Sequence, residues 1–343
     1  MSSSGIDLQV HFVKARSEHD WNERMEWDFR SRFFATRLGL DFEILSCAIK
    51  GRDSFFVVGG WANPTLAVLM IFLHLLGHRF AIWTDAPNPY RRRGTIKRIV
   101  RQQWLKFIFG AATHVMGTGR LALRNLLELG CPEQKFVNFP CGPDLRPYEG
   151  AVRRDRFAAN DTIVLLSAGR LVNSHKGFDL ALHALSELRR RDPRLQIRLR
   201  IAGDGPDRVV LEKLAFDIGV RGLVDFLGWL QPSELPAFYL SGHFFVHPAH
   251  FEPYGIVIVE AMAAGLIVIA SDQTGAAVDR VEHGASGFLH RAGSAEDLAN
   301  VLSCALSLSS DRLEQMQALS IAAGMAWPSS RAVRVIKELA NNS

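Results

Sequence analysis

Short apolar, β-branched segments alternate with longer stretches whose apolar residues recur at helical spacing along the whole chain. This alternation is typical of parallel sheets whose strands are joined by crossover helices. In the first part of the chain it predicts strands at residues 8–13, 42–47, 54–58, 80–84, 114–117 and 135–139, and helices at residues 21–38, 64–77, 92–109 and 121–130.

The alternation stops after the sixth strand and then restarts. Residues 140–160 are rich in Pro, Gly and charge without a sustained apolar period, so we expect a linker at 146–160 between a domain at 1–145 and one at 161–325. Residues 326–343 should contain a helix that belongs either to the second domain or to the first. The predicted fold class is α/β, with two doubly wound, Rossmann-like domains facing a central cleft. Strands of the second domain are predicted at residues 162–167, 198–202, 225–228, 244–247, 267–270 and 287–289.

Composition narrows the class of protein. With 343 residues, 48% hydrophobic and 22% charged, the chain can bury two cores and is not a disordered protein. No secretory leader is evident, and the apolar run at 66–76 is shorter than the roughly 20 residues that span a bilayer. We therefore expect a cytoplasmic protein. Neither the four cysteines nor the histidines at 243, 247 and 250 have metal-site spacing, so structural roles are expected for these histidines.

The most informative segment is residues 244–265. A strand is expected to end near His247, a loop carries Glu252, and a helix should begin at Gly255. Free backbone N–H groups at such a helix start attract anions. Because Glu252 precedes the helix and Glu260 lies inside it, both carboxylates can face one ligand whose phosphates lie between them. The alternative is a surface Glu260 beside glycines that only form tight turns.

The spacing of Glu252 and Glu260, followed by Ala-Met-Ala, resembles the signature of the retaining glycosyl transferases group 1, also called family four. The resemblance implies a GT-B fold and retaining, metal-independent transfer of a sugar from a nucleotide diphosphate sugar, UDP- or GDP-linked, to a hydroxyl. No further cofactor is implied. Four more motifs match in order, at residues 167–171 with 176–177, 201–206, 226–228 and 286–289.

The resemblance also implies residue roles. Arg170 and Lys176 would bind the donor diphosphate, where fixed cations stabilise the charge that the leaving group gains; the alternative is that they are solvated surface cations. Glu252 would accept hydrogen bonds from the donor sugar and Glu260 from the ribose diol. The remaining donor-binding candidates are the turn of Gly203, Asp204 and Gly205, Trp229 and Leu230 near the base, Tyr254, and the amides of Gly255, Ile256 and Val257.

Asp85 is the fourth candidate for a catalytic role, beside Glu252, Arg170 and Lys176. It follows the predicted strand 80–84, and residues just past the carboxyl end of a parallel strand face the crevice where such folds bind ligands. Its carboxylate could orient the acceptor hydroxyl. The alternative is that Asp85 caps the turn ahead of two prolines.

Net charge +5 indicates an anionic partner, and residues 91–109 concentrate the basic side chains beside a one-sided apolar stripe. Such a helix either binds an anionic membrane surface or is an ordinary crossover helix with a solvated basic face. The resemblance implies a glycolipid or oligosaccharide acceptor, which would place the protein at the inner face of the cytoplasmic membrane. Two other activities stay open: a sugar-nucleotide epimerase or phosphorylase on the same fold, and a nucleic-acid-binding protein. The last is disfavoured because few aromatic side chains are interleaved with the charges.

Overall fold

The computed structural model describes residues 9–12, 30–33, 42–51, 54–88, 94–148, 157 and 162–341. The chain divides into two compact units. The first contains Met1–Pro140 together with Pro328–Ser343, and the second contains Cys141–Trp327. The chain therefore enters the second unit once and returns to the first near its end.

The described residues of the first unit form two parallel sheets. Strands β1 (Gln9–Phe12) and β2 (Arg30–Phe33) form a pair, and β3 (Phe56–Gly59), β4 (Phe80–Thr84), β5 (His114–Gly117) and β6 (Phe136–Asn138) follow one another in a four-stranded sheet. Its helices are α1 (Phe42–Lys50), α2 (Pro64–Leu75), α3 (Thr95–Ala111) and α4 (Arg120–Glu128).

The core of the first unit lies between its larger sheet and the helices. Phe80 and Ile82 of β4 are buried against Leu105, Ile108 and Phe109 of α3. Strand β4 can be apolar at successive positions because an inner strand of a parallel sheet is covered on both faces.

Two predicted elements of the first unit are wrong. Residues 42–47 belong to helix α1, because Ile44 and Ala48, one turn apart, are both buried, and the adjacent Ile44 and Leu45 break a strand alternation. The helix predicted at 21–38 is interrupted by β2, whose parallel pairing with the distant β1 overrides local propensity. The other residues of 21–38, and residues 91–93 of the basic segment, lie outside the described residues.

The second unit is a six-stranded parallel sheet in the order β12-β11-β10-β7-β8-β9. The strand order reverses between β10 and β7, and this switch point is where open α/β sheets bind ligands. Its strands are β7 (Ile163–Ala168), β8 (Ile197–Ala202), β9 (Val224–Gly228), β10 (Phe244–His247), β11 (Ile267–Ser271) and β12 (Gly287–His290). Its helices are α5 (Asn173–Lys176), α6 (Phe178–Arg191), α7 (Arg208–Asp217), α8 (Leu235–Leu240), α9 (Ile256–Ala263), α10 (Gly275–Arg280), α11 (Ala295–Leu306) and α12 (Ser310–Gly324).

Helices cover both faces of this sheet. Successive strand residues enter opposite cores: Leu165 and Phe244 pack on one face, and Leu166 and Phe245 on the other. This explains the nearly continuous apolar runs of the central strands. The prediction of an α/β fold with Rossmann-like halves is confirmed.

The last helix, α13 (Ser329–Asn341), belongs to the first unit. Arg79, just before β4, donates a hydrogen bond from Nη2 to the carbonyl oxygen of Ala340 at 3.2 Å. Leu339 is buried. Across the part of the chain that the structure describes, no helix combines the length and the apolar composition needed to cross a membrane.

Candidate active site

Lys176 and Glu252 form an ion pair at the switch point of the second unit. Lys176 ends the short helix α5 that follows β7, and Glu252 lies in the loop that follows β10. His247, the last residue of β10, is buried and its Nε2 lies 3.4 Å from Glu252 Oε2. Neighbouring parallel strands thus bring a cation, a carboxylate and an imidazole together at one point.

The protonation states of this cluster follow from burial and charge. Burial favours the neutral form of Glu252, but the contact with His247 and the charge of Lys176 outweigh it and hold the pKa of Glu252 well below its usual range. Burial lowers the pKa of His247. Glu252 is therefore ionised at neutral pH, and His247 is a neutral imidazole beside it.

The N-terminus of α9 opens next to this ion pair. Gly255 precedes the helix with φ +90°, a left-handed conformation that L side chains rarely adopt, and a Cβ there would lie 3.0 Å from Glu252 Cγ. The backbone N–H groups of Gly255, Ile256 and Val257 make no hydrogen bond to any described residue. These donors and the helix dipole make the start of α9 a candidate anion site, next to Glu252 and its partner Lys176.

Arg280 holds the loop before α9 through hydrogen bonds. The Tyr254 side chain is buried, and its hydroxyl oxygen accepts a hydrogen bond from Arg280 Nη2 at 3.4 Å. Arg280 Nη1 also donates to the carbonyl oxygens of Ala323 and Gly324, at 2.9 and 3.1 Å. The Tyr254 side chain therefore contacts the protein interior, and only its position in the loop brings it near the anion site.

Glu260 lies one turn inside α9 and accepts a hydrogen bond from a tyrosine that packs against a second tyrosine. Its Oε2 accepts a hydrogen bond from the Tyr239 hydroxyl at 2.9 Å, and the rings of Tyr239 and Tyr148 are 5.8 Å apart. Burial raises the pKa of Glu260, and the Tyr239 bond only partly opposes this. Burial and the nearby Glu260 also raise the pKa values of both tyrosines, so both phenols stay protonated.

The tyrosines were missed by reasoning from sequence. Tyr148 falls in the segment predicted to be a linker. It is instead the last residue of a single helical turn, Arg146–Tyr148, and its side chain is buried in the second unit. Tyr239 lies on α8, which no motif marks. His247 was expected to have a structural role, and its contact with Glu252 had no counterpart in the sequence pattern.

The turn after β8 packs against the loop after β7. A Cβ on Gly203, which has φ +134°, would lie 2.0 Å from the carbonyl oxygen of Gly169. A Cβ on Gly205 would lie 2.6 Å from that of Leu171. The exposed Asp204 lies between them and accepts a hydrogen bond from the Gly205 N–H at 2.7 Å. These glycines are needed for the contact between the two loops, whatever they do toward a ligand.

The other candidate residues lie farther from the ion pair along the chain or in the other unit. Arg170 is exposed just after β7. Trp229 is exposed and Leu230 is half-buried beyond β9, which forms one edge of the sheet. Asp85 is exposed just after β4 of the first unit, and its side chain caps no described residue; Thr84 Oγ1 instead donates to the Asp85 carbonyl oxygen at 3.0 Å.

Among the side chains that the structure describes, no three His, Cys, Asp or Glu groups come together as a metal site.

Two Rossmann-like units define the GT-B class of fold, and solved structures share it. The Anabaena protein HepE in complex with UDP matches with a TM-score of 0.74 at 18% identity, covering 92% of this chain and 87% of that one. Sucrose-phosphate synthase from Thermosynechococcus elongatus matches with a TM-score of 0.73 at 18% identity, covering 100% and 91%.

The sequence assigns the family. The profile of the glycosyl transferases group 1 matches residues 151–322, half of the chain, and the chain belongs to that family. A D-inositol 3-phosphate glycosyltransferase of Nocardia farcinica is 32% identical over 256 residues, 71% of this chain and 54% of the relative. A GDP-mannose-dependent α-(1-6)-phosphatidylinositol monomannoside mannosyltransferase of Mycolicibacterium smegmatis is 36% identical over 156 residues, 43% and 39% respectively. The chain thus spans about half the length of the curated relatives that it matches.

Proposed function

We propose that this chain transfers a sugar from a nucleotide diphosphate sugar to a hydroxyl of a glycolipid or polysaccharide acceptor, with retention of anomeric configuration and without a metal ion. The observation that carries the proposal is the Lys176–Glu252 ion pair beside the open N-terminus of α9. It supplies fixed positive charge for a diphosphate and a carboxylate for sugar hydroxyls at one switch point.

The donor diphosphate would bind at the α9 N-terminus, where the amides of residues 255–257 and Lys176 meet it. The leaving nucleoside diphosphate gains negative charge as the glycosidic bond breaks, and these groups would stabilise that charge. Arg170, exposed just after β7, would bind the same phosphates. In this arrangement protein groups supply the positive charge that a divalent cation supplies in metal-dependent transferases. The arrangement therefore supports a reaction without a metal ion.

Glu252 has to change partners when the donor binds. In the ligand-free site its carboxylate neutralises Lys176. A diphosphate competes for that ammonium group, and the released carboxylate then accepts hydrogen bonds from the hydroxyls of the donor sugar. Glu260, fixed by Tyr239, would accept from the ribose diol.

The relatives support the choice of donor and acceptor. HepE has been solved with UDP and with UDP-glucose, and the Mycolicibacterium relative is named as GDP-mannose-dependent and as acting on a phosphatidylinositol monomannoside. A phosphate-linked sugar donor is the feature these share. We place the reaction in the cytoplasm at the inner membrane face, in keeping with the basic side chains exposed on α3.

Calorimetric titration with UDP, GDP and ADP tests the donor, followed by incubation of the corresponding sugar nucleotides with and without EDTA. A glycosylated acceptor whose anomeric configuration matches the donor by NMR supports the proposal. Isomerised sugar nucleotide without acceptor product would show an epimerase, and sugar phosphate release would show a phosphorylase. Tight, salt-dependent binding to DNA or RNA without nucleotide binding would favour the nucleic-acid-binding alternative.

Glu260→Ala is expected to weaken nucleotide binding about 10- to 100-fold, because a hydrogen bond to a charged group is worth about 1.5–3 kcal/mol. Glu252→Ala should lower turnover more than it lowers nucleotide affinity. Calorimetry and steady-state kinetics on both variants separate the two effects. Glu314→Ala, an exposed carboxylate on α12, is the control and should change neither. Unchanged UDP and GDP affinity in the Glu260 variant would contradict its assignment.

Asp85→Asn is expected to lower the transfer rate about 100-fold, the lower end of the range for a positioned acid or base, with donor affinity unchanged. In a retaining reaction the leaving phosphate can take the acceptor proton, which reduces what Asp85 contributes. Paired kinetics and calorimetry provide the measurement. A parental rate, or a loss matched by a lower melting temperature, would rule out a role toward the acceptor.

A further inference from the structure

His247 places a buried imidazole at the end of an apolar strand. The other residues of β10, 244–246, are apolar, and His247 is only 1% exposed. Its Nε2 is buried and makes no hydrogen bond with a described residue. A buried nitrogen without a partner costs free energy, whereas an apolar side chain of the same size would fill this position without that cost. Packing alone therefore does not account for the imidazole.

The group that faces this nitrogen is the carboxylate of Glu252. Its Oε2 lies 3.4 Å from His247 Nε2, just beyond the roughly 2.7–3.2 Å of an N–H···O hydrogen bond. The ammonium group of Lys176 is in direct contact with the same oxygen. In the ligand-free protein Lys176 thus holds Oε2, and His247 stands next to it without a bond of its own.

Both sides of the contact between His247 and Glu252 are fixed. His247 pairs with β11 through its backbone, and its ring stacks on Phe245, with centroids 6.3 Å apart and planes at 11°. The Glu252 N–H donates to a carbonyl oxygen of the loop after β11 at 3.0 Å, and its own carbonyl oxygen accepts from the Gly275 N–H at 3.1 Å. Only the side-chain torsions of Glu252 are left to change, so its carboxylate stays within reach of the imidazole when Lys176 is withdrawn.

We propose that His247 is the positioning residue of Glu252: when a diphosphate draws Lys176 away, His247 Nε2–H donates to Oε2 and holds the carboxylate for the donor sugar. Oε1 accepts no hydrogen bond from a described residue, so it is the oxygen left for the sugar hydroxyls. A neutral imidazole has one N–H, and this bond places it on Nε2. The part played by the sugar rests on the proposed transfer, but the exchange of Lys176 for His247 does not.

The exchange also decides whether Glu252 stays ionised. Burial raises the pKa of Glu252, and His247 and Lys176 lower it. Once the ammonium group is bound to phosphate, the imidazole N–H is left to oppose the effect of burial. Burial lowers the pKa of His247, and it also lowers the pKa of His290, a further titratable group near His247 at the end of β12. Both imidazoles are therefore neutral at neutral pH.

NMR of the full chain with ¹⁵N-labelled histidines tests the exchange, with the His247 resonances assigned by their loss in His247→Gln. Adding UDP should move the Nε2 proton of His247 downfield, because it then bonds to a carboxylate. Lys176→Met without ligand should produce the same shift, since it also removes the competing ammonium group. His243, buried just before β10 with its Nδ1 accepting from the Val164 N–H at 3.0 Å, is the internal control and should not respond.

An Nε2 proton that stays in place in the UDP complex, or in a folded Lys176 variant, would overturn the proposal. If no UDP binds, the donor assignment fails, and the Lys176 variant still decides on His247. If the variant does not fold, the UDP complex decides.

Kinetics then distinguish positioning from a structural role. His247→Leu should lower kcat about 10-fold or more with UDP affinity unchanged, the effect of one lost hydrogen bond to a charged group. The acid limb of kcat should move to higher pH by about one unit, because a carboxylate without its donor protonates more readily. His247→Gln, whose amide can donate in place of Nε2, should recover both.

His243→Leu is the matched control at the other end of β10. It removes the acceptor of the Val164 N–H, so it should lower the melting temperature without moving the acid limb. If His247→Leu behaved in the same way, losing stability with an unchanged pH profile and no recovery in His247→Gln, His247 would be structural and the proposal overturned.

Discussion

Lys176→Met is expected to lower the rate of sugar transfer about 100- to 1,000-fold, the effect of removing one preorganised charge from a transition state. Its ammonium group is the cation next to the open N-terminus of α9, and the leaving diphosphate gains charge as the bond breaks. UDP affinity should fall much less, because the amides of residues 255–257 remain. Stopped assays at saturating donor give the transfer rate, and calorimetry gives the UDP affinity.

Losing Lys176 also leaves Glu252 buried without its counter-ion, which destabilises a protein on its own. The double variant Lys176→Met with Glu252→Gln removes both charges, so it should recover thermal stability while the transfer rate stays low. Lys213→Met is the matched control: this lysine is exposed on α7 and pairs with Asp217 at 2.6 Å. A double variant that regained activity with stability would show that Lys176 is structural.

Gly203→Ala is expected to destabilise the second unit by at least about 4 kcal/mol. Single substitutions have so large an effect when the new atoms clash and the surrounding structure cannot move to relieve the clash. The new Cβ would lie 2.0 Å from the carbonyl oxygen of Gly169, and backbone on both sides prevents either loop from giving way. Chemical denaturation followed by circular dichroism measures the change, or the variant is recovered only as insoluble protein.

Gly219→Ala separates the clash from the backbone conformation. Gly219 also has a positive φ, +74°, but a Cβ there meets nothing within 4 Å. Replacing Gly219 with Ala should therefore lower the free energy of unfolding by about 1 kcal/mol, because alanine is strained in a left-handed backbone conformation. Equal destabilisation by the two substitutions would contradict the packing explanation and assign both effects to backbone strain.

The local sequence pattern predicted those helices and strands whose conformation depends mainly on their own residues. Strands at 80–84 and 244–247 have the structure's bounds because each is a continuous apolar run between polar turns. Residues 42–47 were assigned to a strand because so short an apolar run fits either period, and only packing of α1 on its neighbours decides. The parallel partner of β2 is too distant in sequence for any local pattern to reveal.

The candidate site divides in the same way. Lys176 and Glu252 could each be placed after a strand of the second domain from the sequence, whereas the ion pair between them is seen only in the structure. The Tyr148–Tyr239–Glu260 contacts could not be predicted either, because they join a connecting segment, an unmarked helix and α9 through tertiary packing alone. The exposure of Ile96 and Val100 was equally hidden, since the same spacing describes a buried stripe.

The return of α13 to the first unit has a consequence for biosynthesis. Because α13 belongs to the first unit, and Arg79 donates a hydrogen bond to the Ala340 carbonyl oxygen, the N-terminal half is not complete until this helix has been synthesised. Synthesis of Cys141–Trp327 takes about 10 to 40 s at the usual 5–20 residues per second. The half made first is thus completed last, and during that interval its unfinished surface is the one that a chaperone would meet.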